Sequence, residues 1–586
     1  MKKIYSHIKK AALMGLLGLV GMAQTGCSDF LETEPLNDII LENFWTEKLD
    51  VTNAIAGCYS AMQDEGVIRR MMVWGEFRSE NVYVGSDINK DQDLEKVLKE
   101  NIDAKNAYTT WSGFYNVINR CNTVLKYAPQ VAAKDAAYIQ SDLNANIAEM
   151  VALRSLSYFY LIRAFRDVPY STVAYTDDDQ EMDLPATKFE VVLDSLIADL
   201  ESVKDMAVKA YPSTTPLYQT GRITKDAIHA MLCEMYLWKQ DYQKCIEYAD
   251  LVIEAKKQIA ENNRRLLSAT AGGSSSSDRY NGYPLLSEQS RGSEFGDAYS
   301  KLFGSDKSYQ YYNQEIIFQL IFDDDPQKNS KPANGAVNTF YGNATDRIGL
   351  VAPSDFFLDD VNKVYASQNK RMDARIYENC NMTNNSINKF TTPSLTINAT
   401  SSSAITCGYD PRYTKDQNGS NWIIYRLTDI MLLKAEALTQ LMQTGTDASA
   451  SDYNNSLLAQ AFSLVNAVNK RALCQTQLTD TLQAGSYSSK SQMETLVYQE
   501  RQRELMFEGK RWFDLVRIAR RENSTTTLSS AAMMKHKSGA SLIANRLKKM
   551  DAIYWPYNLE ELKVNTNLVQ NPAFSSGEND SYAKNY

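Results

Sequence analysis

Between Glu500 and Arg521 the chain reads ERQRELMFEGKRWFDLVRIARR, with seven basic and four acidic side chains around Leu505, Trp512, Leu515 and Val516. Such residues could cradle a phosphate, face a nucleic acid or set two carboxylates across a cleft. The signs alternate along the segment, however, which suits mutual ion pairing better than binding of a polyanion. On a helix at about 100° per residue, Leu505, Trp512, Leu515, Val516 and Ala519 share one apolar arc. Arg501, Glu504, Glu508 and Arg511 flank that arc and are placed to pair as the helix docks. Arg503, Lys510, Asp514, Arg517 and Arg521 fall on the opposite side, where solvent is expected. Gly509 points toward the apolar side, which suits close packing or a break between two helices. The segment therefore reads as a partly buried ion network.

Other reactive constellations are scarce. The chain has three histidines, His7, His229 and His536, too few and too scattered for a His-based triad or a multi-histidine metal site. Glycine-rich phosphate loops, GxSxG and HExxH are all missing from the sequence. The acidic runs at 177–179 and 323–325 read as solvated loops or weak cation sites. No metal and no cofactor is expected. Composition leaves a glycosidase carboxylate pair open, since its separation cannot be read from a sequence.

Aromatic residues are the better candidates. Tyrosine occurs 35 times, and many copies fall in polar, loop-like stretches. Rings can cover the flat C–H faces of a sugar while Asn and Arg serve its hydroxyls. Trp74, Arg78, Asn81, Tyr83, Tyr283, Tyr312 and Tyr341 are the candidate ligand-binding residues on this reasoning. The competing reading has the same aromatic side chains packing loops onto a helical body.

That body is written in helical periodicity. In 224–256, Ala227, Ala230, Met231, Glu234 and Leu237 follow i, i+3, i+4, i+7 spacing, and Cys245, Tyr248, Ala249 and Val252 repeat it after a short turn. The pattern is similar to a tetratricopeptide helix pair. Further pairs are expected at 421–441 with 456–472 and at 146–165 with 191–203, and another helix at 108–129. The spacers are unequal, so the pairs do not form a regular array. Irregular sequence concentrates between 258 and 420, where QEIIFQLIF (314–322) reads as a short strand and the Ser/Thr/Asn-rich run from Met382 to Cys407 reads as loop.

At the amino end four lysines precede an apolar run from Ala11 to Ala23, then Gly26-Cys27. A run of 13 residues is short for a membrane span and reads as an export signal. Cys27 is then the lipidated first residue, or else a plain thiol after ordinary secretion. Removing residues 1–26 takes away four lysines and no acid, so the formal charge moves from −9 to −13. That balance disfavours nucleic acid and anionic membranes, and suits a neutral ligand or a protein. Seven further cysteines lack CxxC spacing. Cys121, Cys233 and Cys245 sit at apolar helical positions, whereas Cys380 and Cys407 bracket a loop that a disulfide could close.

Several of these segments fit one pattern. The chain resembles the SusD/RagB family of surface glycan-binding lipoproteins. WSGFYNVINRCNTVL carries the family's Trp111, Tyr115, Ile118 and Asn122. LRSLSYFYLIRAFRDVPY resembles its L-R-A…F-G-D-V-P element, with Arg166 in place of the usual glycine. YRLTDIMLLKAEAL, ERQRELMFEGKRWFDLVR and YWPYNLEELKVNTNLVQNP match three further motifs, the last with Asn558 in place of a proline. The structural signature residues are then Arg501, Glu504, Glu508, Gly509, Arg511 and Asp514. The resemblance implies a mainly α fold: about four tetratricopeptide-like helical pairs, with a large loop-rich ligand-binding subdomain containing few short strands. The expected division is 1–26 signal peptide, 27–257 helical region, 258–420 loop-rich subdomain and 421–586 signature region. It also implies a non-enzymatic protein, anchored to the outer membrane only through its lipid, that passes oligosaccharides to a TonB-dependent SusC-like barrel. A peptide ligand in such a lid-and-barrel system, or a scaffold role in envelope assembly, is the alternative.

Overall fold

The computed structural model describes residues 44–177, 179–268, 280–304, 314–323, 332–342, 349–354, 364–365, 372–381, 383–392, 394–401, 404–410, 418–443, 448–474, 482–536 and 539–575. Cys27, Tyr309, Tyr311 and Tyr312 lie outside them.

Helices α1 (Lys48–Met62) and α2 (Glu65–Met72) lead into a π-helical turn, Val73–Phe77, and strand β1 (Val82–Val84). Then come α3 (Ser112–Ala132), α4 (Gln140–Phe165), α5 (Phe189–Val203), α6 (Lys225–Lys239) and α7 (Tyr242–Ser268). Successive helices pack on one another from α3 to α7. The α6–α7 pair is the one with the clearest sequence signal. Thr224 caps α6 by accepting the Ala227 N–H, and Gln240, at φ 65°, ends it in the left-handed region. Ala227, Ala230, Met231, Cys245, Ala249 and Val252 are all fully buried between the neighbours. A mainly α body of packed helical pairs is what the periodicity requires.

Strands enter in the middle of the chain. β2 (Gln289–Arg291) and β3 (Glu294–Phe295) join β6 (Ser394–Ser401) and β7 (Ala404–Asp410) in an antiparallel sheet of order β7-β6-β3-β2. Between them in sequence, β4 (Ile316–Leu320) falls where the apolar run placed it, and β5 (Val351–Pro353) pairs with β1. The β6–β7 hairpin replaces the loop expected from Met382 to Cys407. Leu395, Ile397 and Ala399 alternate inward along β6, a period-two signal concealed by the intervening Ser, Thr and Asn. A second correction falls at 421–441. Trp422–Arg426 is strand β8, paired antiparallel with β4, and helix α8 begins only at Leu427 and runs to Gln440. The aromatic and β-branched Trp-Ile-Ile-Tyr run suits a strand, and pairing with β4 decides for it.

The carboxyl part comprises α9 (Ala448–Ala472), α10 (Lys490–Leu505), α11 (Arg511–Glu522) and α12 (Leu559–Val564). One hydrophobic core runs from Trp45 to Leu568, and a second, smaller one takes the buried side chains of α9 and α10 together with part of α8.

Candidate functional site

The charged stretch is two helices, α10 and α11, around a bend at 506–510. Phe507 (φ 69°) and Gly509 (φ 70°) both adopt left-handed backbone there, so of the two roles open to Gly509 it fills both, break and close packing. The ion network is real and denser than the helical projection implies. Glu508 takes Arg426 with both oxygens, at 2.7 and 2.8 Å, and Lys389 at 2.8 Å. Glu504 meets Arg375, Arg426 and Arg471, and Glu500 meets Arg375 and Arg503 at 2.7 Å. Arg501 joins Asp514 and Asp429, each at 2.9 Å, and Arg511 pairs with Glu80 at 2.6 Å.

The side expected to face solvent does not. Arg503, Lys510, Asp514 and Arg517 are all buried, and Arg521 is half-buried between Glu436 and Tyr498. Packing covers both faces of the segment: α8 presents Asp429 and Glu436, while Arg375 and Lys389 arrive from the loop-rich part. Burial pushes the Glu504 carboxyl up, but Arg471, Arg426 and Arg375 outweigh it and hold the group well below the usual range. Burial acts likewise on Glu508 and is overcome by Arg426 and Lys389. Carboxylates so buried and paired with cations present no oxygen to a substrate in this structure.

Four of the seven sequence-derived ligand residues, Trp74, Arg78, Asn81 and Tyr341, pack around the same bend and its following helix. Glu76, in the π-helical turn, accepts the Phe507 N–H at 3.0 Å and the Lys510 and Arg511 N–H groups at 3.2 and 3.4 Å, capping the start of α11. Asn81 donates to Glu76 and accepts from Gln502. The Tyr341 hydroxyl donates to the Phe507 carbonyl at 2.9 Å. Arg78 pairs with Glu100 at 2.8 Å, donates to the Ala552 and Ile553 carbonyls, and lies 4.3 Å from the Trp512 ring centre. Trp74 donates its indole N–H to the Tyr108 carbonyl and stacks on Phe114. Trp74, Arg78, Asn81 and Tyr341 are each no more than 1% exposed, so they present no ring face or polar edge to a ligand in this structure. They are brought together, but as a structural junction.

Tyr83 and Tyr283 are half-buried and lie apart from each other. Tyr83 meets His536 edge to face at 5.3 Å, and Tyr283 sits under Lys257 beside α9. Tyr312 lies outside the described residues. Cys121, Cys233 and Cys245 are core residues, as their positions required. No disulfide joins Cys380 to Cys407: the first is buried on a strand paired at Ile387, the second faces Ile397 across the hairpin.

A cleft of about 450 Å³ lies elsewhere, beside α3. Trp111, Tyr115, Asn119 and Asn122 follow one another along one side of this helix. Asn119 grips the Tyr175 backbone through both its N–H and carbonyl at 2.8 Å, and Asn122 donates to the Val173 carbonyl at 3.0 Å. Tyr115 and Tyr158 donate to the Pro169 and Ser171 carbonyls. The opposite wall is α12, capped by Asn558, which accepts the Glu560 N–H and donates to Thr109. Asparagine thus does by capping what a proline does by fixing φ. The family spacing of Trp111, Tyr115 and Asn122 marked this wall in the sequence, without showing that it borders a cleft.

Comparison with known proteins gives a consistent answer. The SusD family pattern matches residues 314–574, and a family described as starch-binding and associating with the outer membrane matches residues 29–237. A SusD-like protein of Formosa agariphila is 23% identical over 561 residues, covering 93% of this chain and 95% of its own. A SusD superfamily crystal structure from Bacteroides vulgatus superposes with a TM-score of 0.62 at 16% identity, covering 90% of this chain and all of its own. A laminarin-binding SusD-like protein superposes with a TM-score of 0.55 at 18% identity, over 90% of this chain and all of its own.

Proposed function

The chain belongs to the SusD/RagB family, and from that premise we propose that it is an outer-membrane lipoprotein that binds an oligosaccharide and breaks no bond in it. The observation that carries this reading is the match of residues 29–237 to a family whose description is starch binding in association with the outer membrane. The fold-level likeness to a laminarin-binding protein and the net negative charge, which favours a neutral ligand, lend support. Among the described residues no helix is long and apolar enough to cross a membrane, which suits attachment through a lipid on Cys27. Handing of the bound sugar to a TonB-dependent barrel completes the proposal.

Binding then relies on aromatic platforms and paired hydroxyls. Of the candidates named from the sequence, Tyr83, Tyr283 and Tyr312 remain as proposed contacts. A glycan array probed with the full chain and with Tyr83→Ala, Tyr283→Ala and Tyr312→Ala tests them. Loss of signal in at least one variant, with an unchanged melting temperature, supports the assignment. Full signal in all three removes these residues from the proposal.

A further inference from the structure

The cleft between α3 and α12 has its polar groups turned inward. Asn119, Tyr115, Tyr158 and the amide nitrogens of Asn122 and Asn565 bond the backbone of the 169–184 segment, while the Asn122 and Asn565 oxygens accept from Arg154 and the Asn567 N–H. Little is left to serve the hydroxyl rim of a sugar, which must find partners on leaving water. What the cleft offers outward is of another kind. Its rim carries Met182, 53% exposed, and Val564, 74% exposed. Its wall carries Glu561, half-buried beside the Trp111 indole, with burial pushing its carboxyl up. Among the described residues no lysine or arginine pairs with Glu561. The charged side chains that line the cleft are Asp183 and Glu561, both acidic.

We infer that this cleft docks a segment of a partner polypeptide presenting an apolar side chain next to a lysine or arginine. The apolar side chain covers Met182, Val564 and the ring of Tyr115, and the cation meets Glu561. An uncharged apolar occupant would bury Glu561 with no counter-charge, which is unfavourable. A cation beside the half-buried ring of Tyr115 gains from both the carboxylate and a π face. The inference does not depend on the proposed sugar binding.

Fluorescein-labelled peptides acetyl-GGLKFGG-amide and acetyl-GGLEFGG-amide, titrated into the full chain, test it, with laminarihexaose as competitor. The lysine peptide is expected to bind at least about tenfold tighter, to weaken with added salt, and to resist the sugar. Glu561→Gln should reduce its affinity by about fivefold or more. Val564→Asp, at an exposed position that leaves the core untouched, should impair binding by removing the apolar rim. Equal binding of the two peptides, binding of neither, displacement by laminarihexaose, or unchanged affinity in both variants would overturn the inference.

Discussion

A Cβ built on Gly75 would fall 1.9 Å from the carbonyl oxygen of Gly509, so the π-helical turn and the 506–510 bend touch backbone to backbone. The obstacle is main chain, which has no rotamer to swing away. Gly75→Ala should therefore destabilise the protein by about 3 kcal/mol or more. Gly485, which has open space around it, provides the control: Gly485→Ala should shift stability by less than about 0.5 kcal/mol. Urea denaturation of both variants checks the contrast, and equal midpoints would contradict it.

Glu508 is the second key to that bend. Removing it strands Arg426 and Lys389 in the interior, so Glu508→Ala should cost about 3–5 kcal/mol. The sign of the pH effect follows from the depressed carboxyls of Glu500, Glu504 and Glu508. Their contribution is complete above the ordinary carboxylate range and is lost as pH falls below it, roughly from pH 5 downward. Melting temperature measured against pH should drop on that limb. Sugar affinity of the Glu508→Ala fraction that still folds should be unchanged, because Glu508 faces only protein groups.

Glu288 and Glu378 behave in the opposite sense. Burial raises the Glu288 carboxyl well above its usual range, and the neighbouring Glu378 adds to the rise; Glu378 is raised by burial too. A group raised on folding contributes stability at low pH that declines as pH climbs past its unfolded value. Glu288→Gln removes that ionisation, so the variant should gain on the parent between roughly pH 5 and pH 8. Thermal melts across that interval decide it; a widening deficit for the variant would contradict the account.

Arg166 adopts backbone that a glycine would take with less strain. It sits at φ 69°, ψ −77°, with the Asp167 N–H donating to the Phe165 carbonyl in a three-residue turn. Its guanidinium pairs with Asp551 and lies over Tyr554, which offsets part of the strain. Arg166→Gly loses the pair but relieves the backbone, whereas Arg166→Ala loses the pair and keeps the strain. The glycine variant should be more stable than the alanine variant by about 1 kcal/mol. Denaturation midpoints in the reverse order would contradict this.

Much of the helical body was legible because its signal is local. The i, i+3, i+4 spacing around Ala227 and Cys245 and the apolar run of β4 need no knowledge of the rest of the chain. What was not legible depended on partners distant in sequence. Arg503 and Arg517 look solvated on a wheel because the Val364 carbonyl and Glu436 reach them only in three dimensions. Trp74, Arg78 and Asn81 look like a loop site because Gly75 breaks the helical pattern, and that glycine is there for its contact with Gly509. Trp422–Arg426 merges with α8 in apolar character, and only pairing with β4 separates the two.

The central claim is reversible binding of an oligosaccharide without cleavage. Isothermal titration of the full chain with laminari- and malto-oligosaccharides, followed by chromatography of the recovered sugar, tests it most directly. The account predicts saturable binding to at least one series and sugar recovered at its original length. Shortened sugar, or no heat from either series and no signal on a broad glycan array, would contradict it.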